Sequence, residues 1–484
     1  MALADFLVTL VTFVAVYSLF GLGLNVKYGY TGLIDFGHVA YFMVGAYVAA
    51  VLTMPPGATA GYDGITGLGL PMLLSGIPFG GLLGWFLGVL GGMVAAALVS
   101  LLVGVPTLRL REDYLAITAL GIATIVNAVF TNEVWLFNGP FGIQSVYKPA
   151  AGVFPLSLGS FTVNMLVFGG LSLLVIGYVA YQVGRYVRGV DLAGAGLVTL
   201  AVLSLAGGIV VVAAGGTAAL LGGLALLAVG GYVGREAMRR TTSVEKTLAV
   251  GVVVLFALWY VVQPVVTGSN PVVELQKNLM FLFDPVAGPN GGLDYDRFLM
   301  LLSVGMLAVA YVWVQRTVNS PYGRVLRAVR DDEDVPKALG KETFRYKVQS
   351  LMFGSALAGA AGALWGVHLG FISPEQFAST LTFFAFTAVI IGGTANNRGV
   401  ILGTAVFWAI NSGTQFLNAY FPSKYAVQLA AARLILIGAL LIVILYYRPE
   451  GVLGEQDYPI SLGDDSGAGT NTGSTPAHGG GDGD

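Results

Sequence analysis

Residues 4–24 read ADFLVTLVTFVAVYSLFGLGL, a run whose only charged side chain is Asp5. A helix needs about 20 apolar residues to cross the hydrocarbon core of a bilayer, and this run is long enough. Similar runs recur along the chain as far as Tyr446. Of the 484 residues, 56% are hydrophobic and 10% are charged, with a mean hydropathy of +0.79, whereas soluble domains are about a quarter charged. We therefore expect an integral membrane protein.

The sequence predicts thirteen membrane-spanning helices, so the expected fold is all-α, a polytopic helical bundle. Two spans are weaker than the rest: 113–130 is short and contains Asn127, and 217–233 is short and rich in glycine. Either of these two could instead be a re-entrant segment. The predicted spans are 4–24, 32–54, 79–103, 113–130, 161–181, 192–214, 217–233, 246–266, 298–315, 346–369, 377–394, 399–418 and 428–447.

Glycine is frequent, at 69 residues, and in lipid such small residues let helices approach one another closely. Small residues spaced four apart, on one face of a helix, indicate where close helix crossings occur. They are Gly88 with Gly92, Gly399 with Gly403, and Ser355 with Gly359 and Ala363.

Basic residues are unevenly divided between the predicted loops. One set of alternate loops, beginning with Lys27, holds 19 of the 24 Lys and Arg residues. Because Lys and Arg mark the cytoplasmic side of a membrane protein, the N-terminus is predicted to lie outside and the C-terminus in the cytoplasm. The expected location is the plasma membrane, which the chain crosses many times.

Several kinds of chemistry are excluded by composition. The chain has no cysteine, which rules out disulfides, thiol nucleophiles and Cys-ligated metal, and its histidines at 38, 368 and 478 are too scattered for a His-based metal site. It also lacks the G-x-x-x-x-G-K-[ST] loop that cradles nucleotide phosphates. We therefore expect no enzyme, no metal and no cofactor bound by this chain.

The charge that remains is concentrated in one segment. Residues 320–340, SPYGRVLRAVRDDEDVPKALG, carry eight charged side chains. Ser320 followed by Pro321 is a typical helix start, a hydroxyl expected to cap the helix and then a ring preset for the first turn. Pro336 is expected to open a second helix that Gly340 ends. The segment thus predicts two short amphipathic helices in a cytoplasmic loop. An ordinary solvated loop would explain the charge equally well, but it needs neither an apolar stripe nor a closing glycine.

This segment, continued by the basic KETFRYK, resembles the cytoplasmic coupling segment of LivM-type permeases, the membrane subunits of ABC importers for branched-chain amino acids. The resemblance covers about 1–145 and 296–454. Four further motifs carry it: GLGLNVKYGYTGLIDFGHVAYFMVGAY (21–47), LRLREDYLAITALGIATIV (108–126) with NGPFGI (138–143), LAGAAGALWGVHLGFISPEQF (357–377) and RLILIGALLIVILYYRPEGVLG (433–454).

The resemblance implies a domain organisation. An N-terminal permease core, 1–145, and a C-terminal core, 296–454, flank an inserted region, 146–295, with about four extra spans that the family usually lacks. The coupling segment, 317–345, lies in the second core. Residues 455–484 contain six acidic residues and neither Lys nor Arg, and this composition predicts a disordered acidic tail.

The resemblance also implies a function, the import of apolar, branched-chain amino acids by alternating access. The implied partners are a LivH-like second permease, two cytoplasmic ATPase subunits, which use the ATP, and an extracytoplasmic substrate-binding protein. The coupling helix would sit in a cleft of the ATPase, so that closure of the cleft moves the membrane helices. The implied docking residues are Gly323, Arg324, Arg327, Ala328, Arg330, Asp331, Asp332, Ala338 and Gly340.

Polar groups within the spans are candidates for the translocation path, because a polar group buried in lipid usually faces a partner or a cavity. A purely structural histidine at 38, bonded to nearby backbone, explains that residue equally well. Asp35 departs from the family pattern, in which a small or neutral residue is commoner. The tentative path residues are Asn25, Tyr30, Thr31, His38 and Asn127.

Three other functions remain open from the sequence. Relatives in the same family carry urea or short amides, so these are alternative substrates. An ion-coupled secondary transporter would have acidic residues in the middle of its spans and broken helices in two repeated halves, and neither is evident. A membrane scaffold would explain the hydropathy but would leave the coupling motif without a role.

Overall fold

The computed structural model describes residues 3–57, 62–77, 80–110, 112–144, 146–149, 295–418 and 426–455. The spans predicted at 161–181, 192–214, 217–233 and 246–266 lie outside the described residues. So does the predicted acidic tail, except for Glu455.

The described residues are mostly helical. Two 3₁₀ turns (Gly139–Phe141 and Pro374–Phe377) and two short strands, β1 (Ile143–Gln144) and β2 (Phe371–Ile372), complete the order. The helices are α1 (Leu3–Thr31), α2 (His38–Thr53), α3 (Leu70–Leu73), α4 (Gly80–Thr107), α5 (Glu112–Asn132), α6 (Val134–Phe137), α7 (Tyr295–Val318), α8 (Pro321–Asp331), α9 (Asp334–Ala338), α10 (Thr343–Leu369), α11 (Thr380–Gly392), α12 (Asn397–Asn418) and α13 (Ala426–Tyr447).

Each of the predicted spans that falls within the described residues coincides with a helix. Six helical stretches there are long and apolar enough to cross a membrane, which makes the chain a multi-pass membrane protein. They are Asp5–Thr31, Gly80–Thr107, Tyr114–Asn132, Tyr295–Val318, Thr343–Leu369 and Pro374–Gly392.

The first helix is longer than its apolar run. It continues through Lys27 to Thr31 and ends where Gly32 adopts a left-handed conformation, with φ of +76°. The second helix begins only at His38. The charge pattern places Lys27 in a loop, and this prediction is wrong, because Lys27 is a buried residue of α1.

Glycine holds the centre of the bundle together. A Cβ on Gly45 of α2 would overlap the backbone of Gly359 of α10, and a Cβ on Gly92 of α4 would lie 2.6 Å from the carbonyl oxygen of Gly45. Three helices therefore meet through three glycines. The expected close crossings at Gly92 and Gly359 are confirmed, and the contact is of the kind that stabilises helix packing in lipid.

The bundle has two distinct ends, about 40 Å apart along the 27 residues of α10. At the coupling end, α8 and α9 lie beside the end of α1 and the start of α10, where Leu33, Leu108, Leu115 and Leu351 pack together.

At the opposite end, β1 pairs antiparallel with β2, with Ile143 across from Ile372. Val146 donates a backbone hydrogen bond to the carbonyl of Gly370, at 3.1 Å. The Lys148 ammonium lies 5.2 Å from the centre of the Tyr295 ring. Two motifs far apart in sequence, NGPFGI and GFISPEQF, thus form one cap.

Candidate functional site

The charged segment forms two short helices, α8 and α9, as predicted. Ser320 stands at the N-cap position of α8, but its hydroxyl donates to the carbonyl of Thr317, at 2.6 Å, and makes no capping bond. The second helix begins at Asp334, two residues before Pro336, and Gly340 follows its end with φ of +74°. The expected capping bond and the expected start of the second helix were therefore wrong.

One face of α8 packs inward. Gly323, Leu326 and Val329 are buried, and a Cβ on Gly323 would overlap the backbone of Val318. Arg327 is half-buried and donates to the carbonyl oxygen of Val318, at 3.4 Å. Gly323 therefore supports the close contact between α8 and α7 and does not lie on the exposed surface.

The other side of α8, together with α9, is exposed to solvent. Among the residues that the sequence suggested for docking, those that are exposed are Arg324, Asp331, Asp332, Ala338 and Gly340. Ala328 is partly buried. The docking role of all these residues stays a prediction.

Sequence reasoning missed two apolar side chains in the same region. Val335 is 53% exposed and Leu339 is 74% exposed. They lie four residues apart and thus on one side of the α9 turn. We call these two residues the α9 patch. Two apolar residues spaced four apart within a charged segment were the sequence signal that could have indicated this patch.

Arg330 is bonded to other parts of the chain and is not a free surface charge. Its guanidinium donates to the carbonyl oxygen of Gly29 at 2.8 Å, to Glu455 at 2.8 Å and to Asp331 at 3.0 Å, and the side chain is only 22% exposed. Burial alone would lower the pKa of Arg330, but its bonds to Glu455 and Asp331 raise it overall. The Gly29 carbonyl lies in the last turn of α1, where helix carbonyls lack partners within the helix. Arg330 therefore ties α8 both to α1 and to the C-terminal segment.

Glu333 makes a second connection, between α8–α9 and α10. Its carboxylate accepts hydrogen bonds from the Thr343 hydroxyl at 2.8 Å and from the Lys347 ammonium at 2.6 Å. Burial alone would raise the pKa of Glu333, but the bonds from Lys347 and Thr343 lower it overall. The coupling helices are thus attached to both central helices of the bundle.

The C-terminal segment after α13 folds back onto the bundle. Val452 and Leu453 donate backbone hydrogen bonds to the carbonyls of Ile391 and Gly392, at 2.9 and 3.1 Å. Glu455, expected in the tail, is instead the partner of Arg330. The segment after α13 therefore reaches the coupling helices.

Four of the five tentative path residues lie near the coupling end and are fully packed. Asn25 donates to Asn397 at 3.1 Å and accepts from the backbone N–H of Ala395 at 3.0 Å. The Thr31 hydroxyl lies 3.0 Å from the carbonyl oxygen of Val26 and 2.6 Å from the hydroxyl of Ser350. Tyr30 is buried as well.

His38 is the fourth path residue at this end. It belongs to a buried ionic cluster whose members the sequence did not predict to lie together. Lys27 forms an ion pair with Asp35 at 2.7 Å, lies 3.0 Å from Nδ1 of His38 and stands 4.2 Å over the Tyr41 ring. Nε2 of His38 lies 3.0 Å from the carbonyl oxygen of Phe20. A neutral ring protonated on Nε2 satisfies both contacts, because it donates to the carbonyl and accepts from the lysine. These contacts favour a structural role for His38.

Asn127 lies apart from the other path residues, toward the opposite end. Its amide donates to the carbonyl oxygens of Pro374 at 2.9 Å and Phe377 at 3.5 Å. It therefore holds α5 against the turn that follows α10. Among the described residues, no group of three or more His, Asp or Glu residues could hold a metal ion.

Comparison with known proteins gives one consistent result. A family model described as "Branched-chain amino acid transport system / permease component" matches residues 6–190 and 151–445. A high-affinity branched-chain amino acid transport system permease protein LivM from Salmonella typhimurium is 23% identical over 446 residues, covering 92% of this chain and 69% of the relative.

Two other relatives match shorter stretches. A probable branched-chain amino acid transport permease protein LivM from Methanocaldococcus jannaschii is 33% identical over 154 residues, which is 31% of this chain and 44% of the relative. The permease protein LivH of the high-affinity branched-chain amino acid transport system of Escherichia coli is 29% identical over 138 residues, covering 28% of this chain and 41% of LivH. No solved structure gives a significant match.

Proposed function

Because this chain belongs to the family of permease components of branched-chain amino acid transport systems, we propose that it is the transmembrane permease subunit of an ATP-driven importer for branched-chain, apolar amino acids. The coupling segment carries the proposal. It presents exposed charges and the α9 patch on one side, and on the other side it is bonded to the helices that form the centre of the bundle.

The proposed mechanism is alternating access driven from outside the chain. When the ATPase subunits close on ATP, they displace α8 and α9. Arg330 passes this displacement to the end of α1, and Glu333 passes it to the start of α10. Because α1 and α10 pack against each other and against α2, α4 and α12, the movement of two short helices can tilt the whole bundle and open the path to the other side.

The partners we propose are a LivH-like second permease, two cytoplasmic ABC ATPase subunits and an extracytoplasmic binding protein. The ATPase subunits bind the ATP. The substrate passes between the two permeases after the loaded binding protein docks on the outer side. Four of the five path residues, all but Asn127, lie inside this chain's own packing, so their role in the path requires the bundle to rearrange.

We propose the predicted topology of thirteen spans, with the N-terminus outside and the C-terminus in the cytoplasm. The ends of the described helices support the orientation, because the end of α1 contacts α10 and the segment before α12, and Arg330 joins the end of α1 to the segment after α13. We keep the cores at 1–145 and 296–454 and the insertion at 146–295. We also keep the acidic tail at 455–484, whose first residue, Glu455, is paired with Arg330.

The test is transport in proteoliposomes that contain the chain with its candidate partner subunits. ATP is supplied inside, and the binding protein with labelled leucine or urea is supplied outside. We expect leucine uptake that requires ATP. Urea uptake in place of leucine would change the substrate, and uptake driven by an ion gradient without ATP would overturn the proposal.

A variant pair tests the coupling surface itself. Leu339→Asp puts a charge into the α9 patch and should abolish co-purification of the ATPase subunits, with at least a tenfold loss of uptake, because a desolvated charge opposes docking. Leu68→Asp is the control for co-purification, because Leu68 is also an exposed leucine but lies at the opposite end. Equal co-purification by both variants would exclude the α9 patch from the interface.

A further inference from the structure

An open cleft of about 360 Å³ runs along the last turns of α7. It is lined by Tyr311, Val312, Gln315, Arg316, Asn319 and Ser320. Arg316 lies in the last turn of a helix that is long and apolar enough to cross a membrane. The cleft therefore lies at the depth where a span meets the lipid headgroups.

One arginine lines this cleft, and a second, on another helix, is bonded to a residue that lines it. Arg316 of α7 is exposed and, within the part of the chain that the structure describes, it is in no salt bridge. Arg398, in the first turn of α12, donates its Nε–H to the hydroxyl oxygen of Tyr311, at 3.3 Å. The Tyr311 hydroxyl accepts in this bond, so its O–H can donate to another acceptor. The cleft is thus bordered by two positive charges and a hydroxyl donor.

The wall of the cleft is fixed by a bond between the same two helices. The amide of Asn397 donates to Oε1 of Gln315, at 2.9 Å. Below Arg316, the exposed side of α7 continues with Val312 and Val309, which lie about one turn apart on one face. A charged site at the membrane surface thus leads directly into an apolar strip.

We propose that this cleft binds an anionic phospholipid, with the headgroup phosphate between Arg316 and Arg398 and one acyl chain along Val312 and Val309. Guanidinium groups bind phosphate oxygens in a planar, two-point geometry, and basic pockets between membrane helices bind anionic headgroups. A free phosphate would use the arginines but would leave the apolar strip without a role. The binding site does not depend on the proposed transport function.

The test is native mass spectrometry of the full-length chain with phosphatidylglycerol or phosphatidylcholine of the same acyl chains. We expect wild type to retain phosphatidylglycerol selectively. The double variant Arg316→Gln with Arg398→Gln should lower that retention roughly tenfold to thirtyfold, the effect of two basic residues at a membrane surface. The matched control is Lys341→Gln with Arg345→Gln, which removes two exposed positive charges at the same end of the bundle, outside the cleft.

Two more variants test whether lipid binding depends on the cleft itself or only on its charge, and whether a loss of binding reflects misfolding. Arg316→Lys with Arg398→Lys keeps both charges and should retain most of the binding. Val312→Trp fills the cleft without changing the charge and should reduce binding. The proposal is overturned if the glutamine variant binds like wild type, if the control loses as much, if Val312→Trp has no effect, or if inorganic phosphate displaces the lipid.

Discussion

Arg330 joins three parts of the chain through one guanidinium group. Its bond to Gly29 reaches α1, its bond to Glu455 reaches the C-terminal segment, and its backbone belongs to the coupling helix α8. In the proposed mechanism Arg330 therefore transmits displacement and does not dock the ATPase, because most of its side chain is turned away from solvent. Docking and transmission can therefore be separated by mutation.

We predict that Arg330→Gln lowers ATP-driven uptake at least tenfold while the ATPase subunits still co-purify, because the α9 patch is unchanged. Arg330→Lys should recover only part of the activity, since a lysine is a single point donor and lacks the planar fork of arginine. Arg345→Gln, which removes an exposed charge at the start of α10, is the control. Normal uptake by Arg330→Gln would show that the bonds of Arg330 do not transmit the movement.

The carboxylate of Glu333 gives the coupling helices a pH dependence. Because its pKa is lowered in the folded chain from 4.5, its stabilising effect is fully present above about pH 4.5 and is lost as the pH falls through the folded-state pKa. We predict that Glu333→Gln costs roughly 0.5–1 kcal/mol at pH 7, the range for a partly exposed ion pair, and that the difference shrinks toward zero in acid.

The measurement for Glu333 is the thermal midpoint of the purified chain in detergent at pH 7 and at pH 4 or below. Glu342→Gln is the control, because Glu342 is an exposed carboxylate nearby and its side chain has no bonding partner among the described residues. A difference between wild type and Glu333→Gln that stays constant across this pH range would contradict the prediction.

Lys27 shows where residue-level reasoning fails. Counting basic residues treats any lysine near the end of an apolar run as a loop residue, and the sequence does place Lys27 just past such a run. Asp35 follows eight residues later, but only the turn at Gly32 and the start of α2 bring the two charges together. A buried ion pair of this kind depends on tertiary geometry, which a local pattern does not contain. For the same reason the sequence could not separate the buried face of α8 from its open face.

At the scale of elements, the existence of the described spans could be predicted and their ends could not. A run of about 20 apolar residues is sufficient evidence for a helix, so every prediction within the described residues coincides with one. The ends depend on individual residues, such as Gly32, whose left-handed conformation follows the end of α1 at Thr31. The small residues were informative as well, because their spacing identified contacts that the structure places between α2, α4 and α10.

We predict that Gly45→Ala destabilises the bundle by about 1–3 kcal/mol, the usual cost of overpacking, because the new methyl group would overlap the backbone of Gly359. Gly305→Ala on α7 is the matched control. Nothing lies within 4 Å of a Cβ at Gly305, so alanine there should be neutral or slightly stabilising through its helix propensity. Thermal unfolding followed by size-exclusion chromatography measures both, and equal midpoints would rule out the close crossing.

At the scale of the whole molecule, one end of the bundle carries α8 and α9 and the other carries the β1–β2 cap. The sequence indicated the first end through its charge, but it gave no sign that NGPFGI and GFISPEQF meet, since that pairing joins residues more than 200 positions apart. The opposite positions of the two ends lead to a simple test of orientation.

The natural absence of cysteine makes single-cysteine labelling direct. We predict that Leu339→Cys reacts with a membrane-impermeant maleimide only in inside-out vesicles and that Leu68→Cys reacts only in right-side-out vesicles. Both leucines are exposed, at 74% and 51%, so reactivity reports the side of the membrane. Labelling of both from the same side would contradict the topology.

The contact between Lys148 and Tyr295 brings the two borders of the inserted region together. The residues on either side of 150–294 are thus neighbours in space, at the end of the bundle that carries the β1–β2 pair. A shortened chain in which a few glycines join residues 149 and 295 should therefore keep the framework of the described helices.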